Sequence, residues 1–257
     1  MGVAADKRDW EELGELDPFW AIAGGSTERR FGRWDVDAFF AGGRREADGL
    51  MRRLGALGVP ARRDAVLDFG CGVGRVTRAL AEHFGTALGV DISTTMLARA
   101  RELNAGVPGL DFALNDATDL RSVGERRFDL VYTRVVLQHV AGRQVARTYV
   151  EEFLRVLAPG GVAAFQVPVH IPRRHRLMPV RRLYVAGRAL RLPPAFLYHR
   201  LRLHPIRMQW VPETEVFEWV RLAGGRVLEV VTKTSSTGVR HATFYAVRPD
   251  AQRRRRT

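Results

Sequence analysis

VLDFGCGVGRVTRAL, residues 66–80, passes from a short apolar run into three spaced glycines and then into a helical repeat. The run AVLDF (65–69) is rich in strand formers, whereas Val76, Leu80 and Phe84 recur at helical spacing. Glycine at 70, 72 and 74 permits positive φ and lets the backbone approach a ligand with no side chain between. The helix that follows presents unpaired N–H groups and a partial positive charge. A tight strand-to-helix turn also needs glycine for structural reasons, so the turn alone leaves a purely structural role open.

Working outward, the same alternation repeats. TALGVDI (86–92), LDFALND (110–116), FDLVYTR (128–134) and VAAFQVP (162–168) read as strands, separated by a helix capped at Ser93–Thr94 and another over 143–157. Pro159-Gly160-Gly161 reads as a helix stop and turn. Such βαβ units predict an α/β, doubly wound, mostly parallel sheet covered on both faces. After Pro168 the alternation lapses, then resumes with a helix over 212–225 and strands 226–233 and 240–248. The segment TSSTGV joins these last two as an antiparallel hairpin. Residues 1–60 read as a helical cap, 61–249 as the main domain with a basic insertion at 170–210, and the Arg-rich tail 250–257 as disordered.

The single cysteine, Cys71, excludes an intramolecular disulfide and fits a small structural residue in the glycine turn. No apolar run approaches the ~20 residues of a membrane span, and the first residues lack the apolar core of a signal peptide. A cytoplasmic protein is expected. The net charge is +13 and is localised: residues 153–212 hold 11 arginines and no acid, and Arg253–Arg256 add four more, leaving the remainder slightly acidic. His175, His199 and His204 lack metal-ligand spacing, so no metal is expected.

Three carboxylates give the glycine turn a chemical meaning. Asp68, Asp91 and Asp116 stand at or beside the ends of the first three strands, and in an open parallel sheet those ends share one crevice. Acids converging there favour a ligand with positive charge and hydroxyls. A dinucleotide fits less well, because its third glycine would fall on Arg75 and its pyrophosphate close to Asp68. An adenosine carrying an amino acid, with a cationic amine and no phosphate, suits the acids better.

The stretch resembles motif I of class I S-adenosylmethionine-dependent methyltransferases of the small-molecule type, and residues 61–168 follow that family's order of landmarks. The resemblance implies a Rossmann-like sheet of seven strands with an antiparallel last strand, and S-adenosyl-L-methionine as cofactor. It implies that Gly70, Gly72 and Gly74 lie under the methionine and ribose, and that Asp68 holds the ammonium. Asp91 would take the ribose hydroxyls, Ile92 would pack on adenine, and Asp116 with the backbone of Ala117 would read the adenine edge. Arg134 would border the methionine end. On the acceptor side, His139 is the candidate base, or else a histidine that packs or caps; His170 is a second candidate there. Trp34 and Phe39 either line an apolar acceptor site or fix their helix to the sheet.

The expected reaction is in-line methyl transfer to an O or N atom of a small-molecule acceptor, anionic or lipid-like. The insertion 170–210 is a lid, or it meets an anionic carrier or an anionic membrane surface. A nucleic-acid methyltransferase is the alternative, disfavoured because the fourth strand ends Tyr132-Thr133-Arg134-Val135 rather than Asn/Asp-Pro-Pro-Tyr/Phe. A binding protein that holds the cofactor without turnover remains the other alternative, with a dehydrogenase third.

Overall fold

Parallel pairing of short buried strands organises the chain. The computed structural model describes residues 2–23 and 34–248; the tail 250–257, expected to be disordered, lies outside the described residues. Three helices come first: α1 (Val3–Leu16), α2 (Pro18–Ala23) and α3 (Val36–Ala56). The alternating part follows as β1 (Ala65–Phe69), α4 (Arg75–Leu80), β2 (Thr86–Asp91), α5 (Thr94–Leu103), β3 (Leu110–Leu114), β4 (Phe128–Thr133), α6 (Arg143–Arg155) and β5 (Leu157–His170). The insertion forms α7 (Arg173–Arg176), α8 (Pro179–Ala189) and α9 (Pro194–His199). Then come α10 (Glu213–Leu222), β6 (Arg226–Thr234) and β7 (Arg240–Val247).

The seven strands form one sheet in the order β3-β2-β1-β4-β5-β7-β6. β3, β2, β1, β4 and β5 pair in parallel, while β7 runs antiparallel to both β5 and β6. The chain order reverses between β1 and β4, which opens the crevice at the carboxyl ends of those strands. One apolar layer, with Leu67, Val131, Phe153 and Trp219, lies between the sheet and α6 and α10. A second, with Val66, Leu130, Leu54 and Leu80, lies between the sheet and α3 and α4. Each fully buried aliphatic side chain in these layers contributes about 1.5–3 kcal/mol of transfer free energy.

Pro159-Gly160-Gly161 does not stop the helix, as the sequence suggested. α6 ends at Arg155, and the three residues lie inside β5 where its register against β4 shifts between Phe128 and Leu130. A Cβ on Gly161 would stand 2.9 Å from the Phe128 carbonyl, so the backbones meet there in a bulge. The two prolines at 193 and 194 do divide the insertion, at the start of α9. Among the described residues no helix is long and apolar enough to cross a membrane.

Candidate active site

The turn after β1 carries positive φ at Gly70 (75°) and Gly72 (55°), a conformation costly for any residue with a Cβ. Space is short as well: a Cβ on Gly70 would come within 2.3 Å of Val136, and one on Gly72 within 2.6 Å of Ile22. Asp91 lies against this turn. Its Oδ2 accepts from the Gly72 N–H at 2.8 Å and its Oδ1 from the Ser93 N–H at 3.0 Å, while burial pushes its pKa up. Asp68 lies behind the turn, 5% exposed, accepting from the Thr77 hydroxyl at 2.6 Å. Burial pushes its pKa up to about 7, and among the described residues no cation forms an ion pair with it.

Two cavities meet at this turn. The larger by total empty space, about 880 Å³ including open solvent, lies between Gly70, Gly72, Asp91 and Ile92 on one side and Val3, Asp6 and Trp10 of α1 on the other. Asn115, Val136, His139 and Tyr149 complete its sides. The second, about 640 Å³, is polar, with Asp68, Glu46, Arg75, Tyr132 and Arg134. Glu46 of α3 organises it: Oε2 accepts from Arg75 and Arg134, both at 2.7 Å, and Oε1 from the Tyr132 hydroxyl at 2.6 Å. Arg134 and Val135 line both cavities, and Val135 is held at φ 62°, a strained state for a β-branched residue.

Several sequence-predicted residues stand elsewhere. Asp116 is half-exposed and pairs with Lys7 of α1 at 2.8 Å, which lowers its pKa; it lines neither cavity. The Ala117 carbonyl accepts from the Tyr149 hydroxyl at 2.6 Å, so Ala117 acts on the cavity through Tyr149. The residue that faces the cavity from this strand end is Asn115, whose N–H donates to the Asp91 carbonyl. Its Oδ1 accepts from Ser122 at 2.6 Å, and its buried Nδ2 has no partner within hydrogen-bond criteria among the described residues. Gly74 caps α4 under Phe112, away from both cavities. Trp34 stacks on Phe19 and Phe39 meets it edge-on, in an apolar cluster with Val73 and Met96, and neither lines a cavity. They fix α3 beside the glycine turn. His170 is exposed at the end of β5, paired in register with Arg240 and outside both cavities.

His139 does line the larger cavity, 8% exposed and edge-on to Trp10 at 5.5 Å. Its Nδ1 lies 2.6 Å from the Arg207 carbonyl, which assigns the proton to Nδ1, and its Nε2 then accepts from the Gln138 amide at 3.1 Å. Burial pulls its pKa down to about 4. Burial thus disfavours the protonated form that His139 would take as the expected base, and its Nε2 is engaged by Gln138 in the ligand-free structure.

The sequence offered residues 1–60 as a helical cap, but the bonds by which α1 holds its place over the cavity were not foreseen from it. Glu11 of α1 caps α5, accepting from the N–H groups of Thr94 (2.7 Å) and Thr95 (2.9 Å) and from the Ser93 hydroxyl (2.8 Å). Burial pushes its pKa up, but the hydrogen bonds from Thr94 and Thr95 outweigh that and hold it down to about 2. On its other side α1 meets the insertion: Asp6 with Arg207 at 3.0 Å, Asp9 with Arg181 at 3.6 Å, Glu12 with Arg188 at 2.9 Å, and Glu12 also accepts from Tyr184. Burial pushes Asp9 up to about 6 despite Arg181. The insertion therefore reaches the site through α1; none of its residues lines either cavity. Acids at 6, 9 and 12, spaced along one helical stripe, were the available signal for this contact. Among the described residues no group of three His, Cys, Asp or Glu is placed to hold a metal ion.

Comparison with known proteins agrees with this geometry. Residues 67–165 match the family model described as a methyltransferase domain. Over 123 residues the chain is 38% identical to malonyl-[acyl-carrier protein] O-methyltransferase of Enterobacter lignolyticus, covering 48% of this chain and 44% of that protein. It is 41% identical over 133 residues to trans-aconitate 2-methyltransferase of Deinococcus radiodurans, covering 49% and 47%. The matched stretch thus spans less than half the length of either relative. Among solved structures, magnesium protoporphyrin IX methyltransferase from Synechocystis superposes with a TM-score of 0.62 at 19% identity, over 96% of this chain and 99% of that one. The N-methyltransferase NodS of Bradyrhizobium japonicum gives 0.60 at 16% identity, over 95% and 99%. Those two likenesses establish a shared fold.

Proposed function

We propose, from the match of residues 67–165 to a methyltransferase-domain model, that the chain is a class I S-adenosylmethionine-dependent methyltransferase that transfers a methyl group to an O or N atom of a small molecule. The observation that carries this reading is the buried carboxylate of Asp68 and the half-buried one of Asp91, flanking a turn with no room for a Cβ at Gly70 or Gly72. A carboxylate pushed up to about 7 by burial gains most from a ligand that brings its own cation. The bare glycines, the unpartnered Asn115 Nδ2 and the apolar Ile92 fit an adenosine with an aminoacyl tail.

When bound, S-adenosylmethionine supplies an electrophilic methyl on a sulfur that is already a good leaving group. The protein's part is positioning and exclusion of water. Asp91 takes the ribose hydroxyls, Asp68 the ammonium, Ile92 packs on adenine, and Asn115 donates to the base edge. Arg134, held by Glu46, borders the aminoacyl end. α1 covers the cavity with Val3, Asp6 and Trp10. His139 remains neutral, so the acceptor arrives with its nucleophile free of a proton, as a carboxylate oxygen or a neutral amine does. The matched relatives named for malonyl and trans-aconitate substrates support the carboxylate case.

Calorimetry with S-adenosylmethionine and its demethylated product tests the reading. Both should bind the wild-type chain, and Asp91→Ala should weaken each at least tenfold, about 1.4 kcal/mol, while the protein stays folded. Absence of heat for both compounds with folded wild-type protein would end it.

A further inference from the structure

α8 is amphipathic in the reverse of the usual sense. Its polar side faces inward, where Arg181, Tyr184 and Arg188 meet Asp9 and Glu12 of α1. Its outward side carries Leu183, Ala186 and Leu190, at the spacing of one helical face, with Leu183 59% and Leu190 77% exposed. The flanking segments add to it: Leu177 before α8 is 59% exposed, Phe196 on α9 44%, and Leu201 beyond α9 49%. The molecule's exposed large apolar side chains are concentrated in this one segment, and a solvated helix face does not ordinarily present them. Arginines stand among them. Arg173, Arg182, Arg191 and Arg200 are exposed, and no described carboxylate forms an ion pair with any of the four. No acidic residue occurs anywhere from 153 to 212.

We propose that this outer side of the insertion docks on the surface of an anionic phospholipid bilayer. Leucine and phenylalanine side chains carried on separate turns, with guanidinium groups between, suit an acyl boundary lying beneath negative headgroups. A fluid bilayer accepts separate protruding side chains without a shaped counterpart, and these residues line neither cavity. A second copy of the chain is a poor occupant, because self-association through this face sets arginines against arginines. α8 also contacts the helix that roofs the larger cavity, so the bilayer side lies one helix from the site. An amphiphilic acceptor partitioned into the membrane would then be delivered beside the cavity. The docking itself goes beyond the methyltransferase reading and needs neither cofactor nor acceptor, so either can fail alone.

Flotation of the full chain with vesicles decides the matter, using phosphatidylcholine alone and phosphatidylcholine mixed with phosphatidylglycerol. The chain should float with the anionic vesicles, less so as salt rises, and not with the neutral ones. Leu183→Glu with Leu190→Glu should reduce recovery at least tenfold, and Arg182→Gln roughly fivefold. Both variants should keep the wild-type melting temperature and cofactor affinity, since these side chains point away from the fold. The proposal is overturned if wild type ignores anionic vesicles, or if the double leucine variant floats as well as wild type. It is equally overturned if the chain binds an acidic carrier protein and not the vesicles.

Discussion

Replacing Glu11 with alanine should release α1 from the cavity without unfolding the sheet. The carboxylate accepts from two backbone N–H groups at the start of α5 and from the Ser93 hydroxyl, all between 2.7 and 2.9 Å. Charge-assisted bonds of this kind contribute about 1.5–3 kcal/mol each when buried, and loss of a helix cap costs about 1 kcal/mol. Glu11 is partly exposed, and water replaces part of what is lost, so about 2 kcal/mol is expected for the docking of α1. That corresponds to roughly thirtyfold in the closed-to-open ratio. Hydrogen exchange is the direct assay: amides of α1 should exchange roughly thirty times faster in Glu11→Ala while those of β1 and β4 stay unchanged. Because Val3, Asp6 and Trp10 line the cavity, cofactor affinity should fall with the docking. The same contact has a pH signature. A carboxylate held near 2 in the folded state, below its usual 4.5, stabilises docking above about pH 4.5 and loses that contribution as pH falls toward 2. Wild-type exchange rates for α1 in the alanine variant would refute the role of Glu11 as its anchor.

Three further outcomes follow from the same geometry. Asp68 has its folded pKa raised to about 7, so its contribution to the stability of the ligand-free protein is greatest below about pH 4 and is lost as pH rises toward 7. Binding a cationic ligand near pH 7 should therefore release protons, read as a dependence of binding enthalpy on buffer ionisation, and Asp68→Asn should abolish that dependence. His139, pulled down to about 4, should add no ionisation between about pH 5 and 8 to the profile of kcat; a limb in that interval that vanishes in His139→Gln would restore it as the base. Gly72→Ala must adopt φ near 55° with its Cβ against Ile22. It should cost roughly 1–2 kcal/mol and lower Tm by about 2–4 °C per kcal/mol, measured by thermal denaturation.

The sheet was readable because its information is local. AVLDF ending on Gly70, and β2 and β4 each followed by a helix, fix the βα alternation and hence the crevice between β1 and β4. Asp91 and Ile92 were placed at the cavity for the same reason: they close a strand whose neighbours were already identified. One residue further on, that reasoning failed at β3. Side chains alternate in direction along a strand, so which of Asn115 and Asp116 faces the cavity rests on where pairing stops, and it is Asn115 that lines it. The aromatic residues Trp34 and Phe39 satisfied a pattern equally suited to packing and to ligand contact, and composition does not separate the two. The bonds that hold the roof, unlike the cap itself, were hidden for a different reason. They join Glu12 to Tyr184 and Arg188, 172 and 176 positions away, and nothing local announces such pairs.

Those long separations bear on how the protein is made. α1 is synthesised before the sheet, yet the guanidinium groups that hold it belong to Arg181, Arg188 and Arg207. During translation α1 can meet α5 through Glu11 early, but Asp6, Asp9 and Glu12 stay solvated until residues up to Arg207 have left the ribosome. A ribosome-bound chain stopped after β5 would have its first five strands paired while the ceiling of its pocket was held from one side only. The second side would then close in one late step, when the insertion emerges.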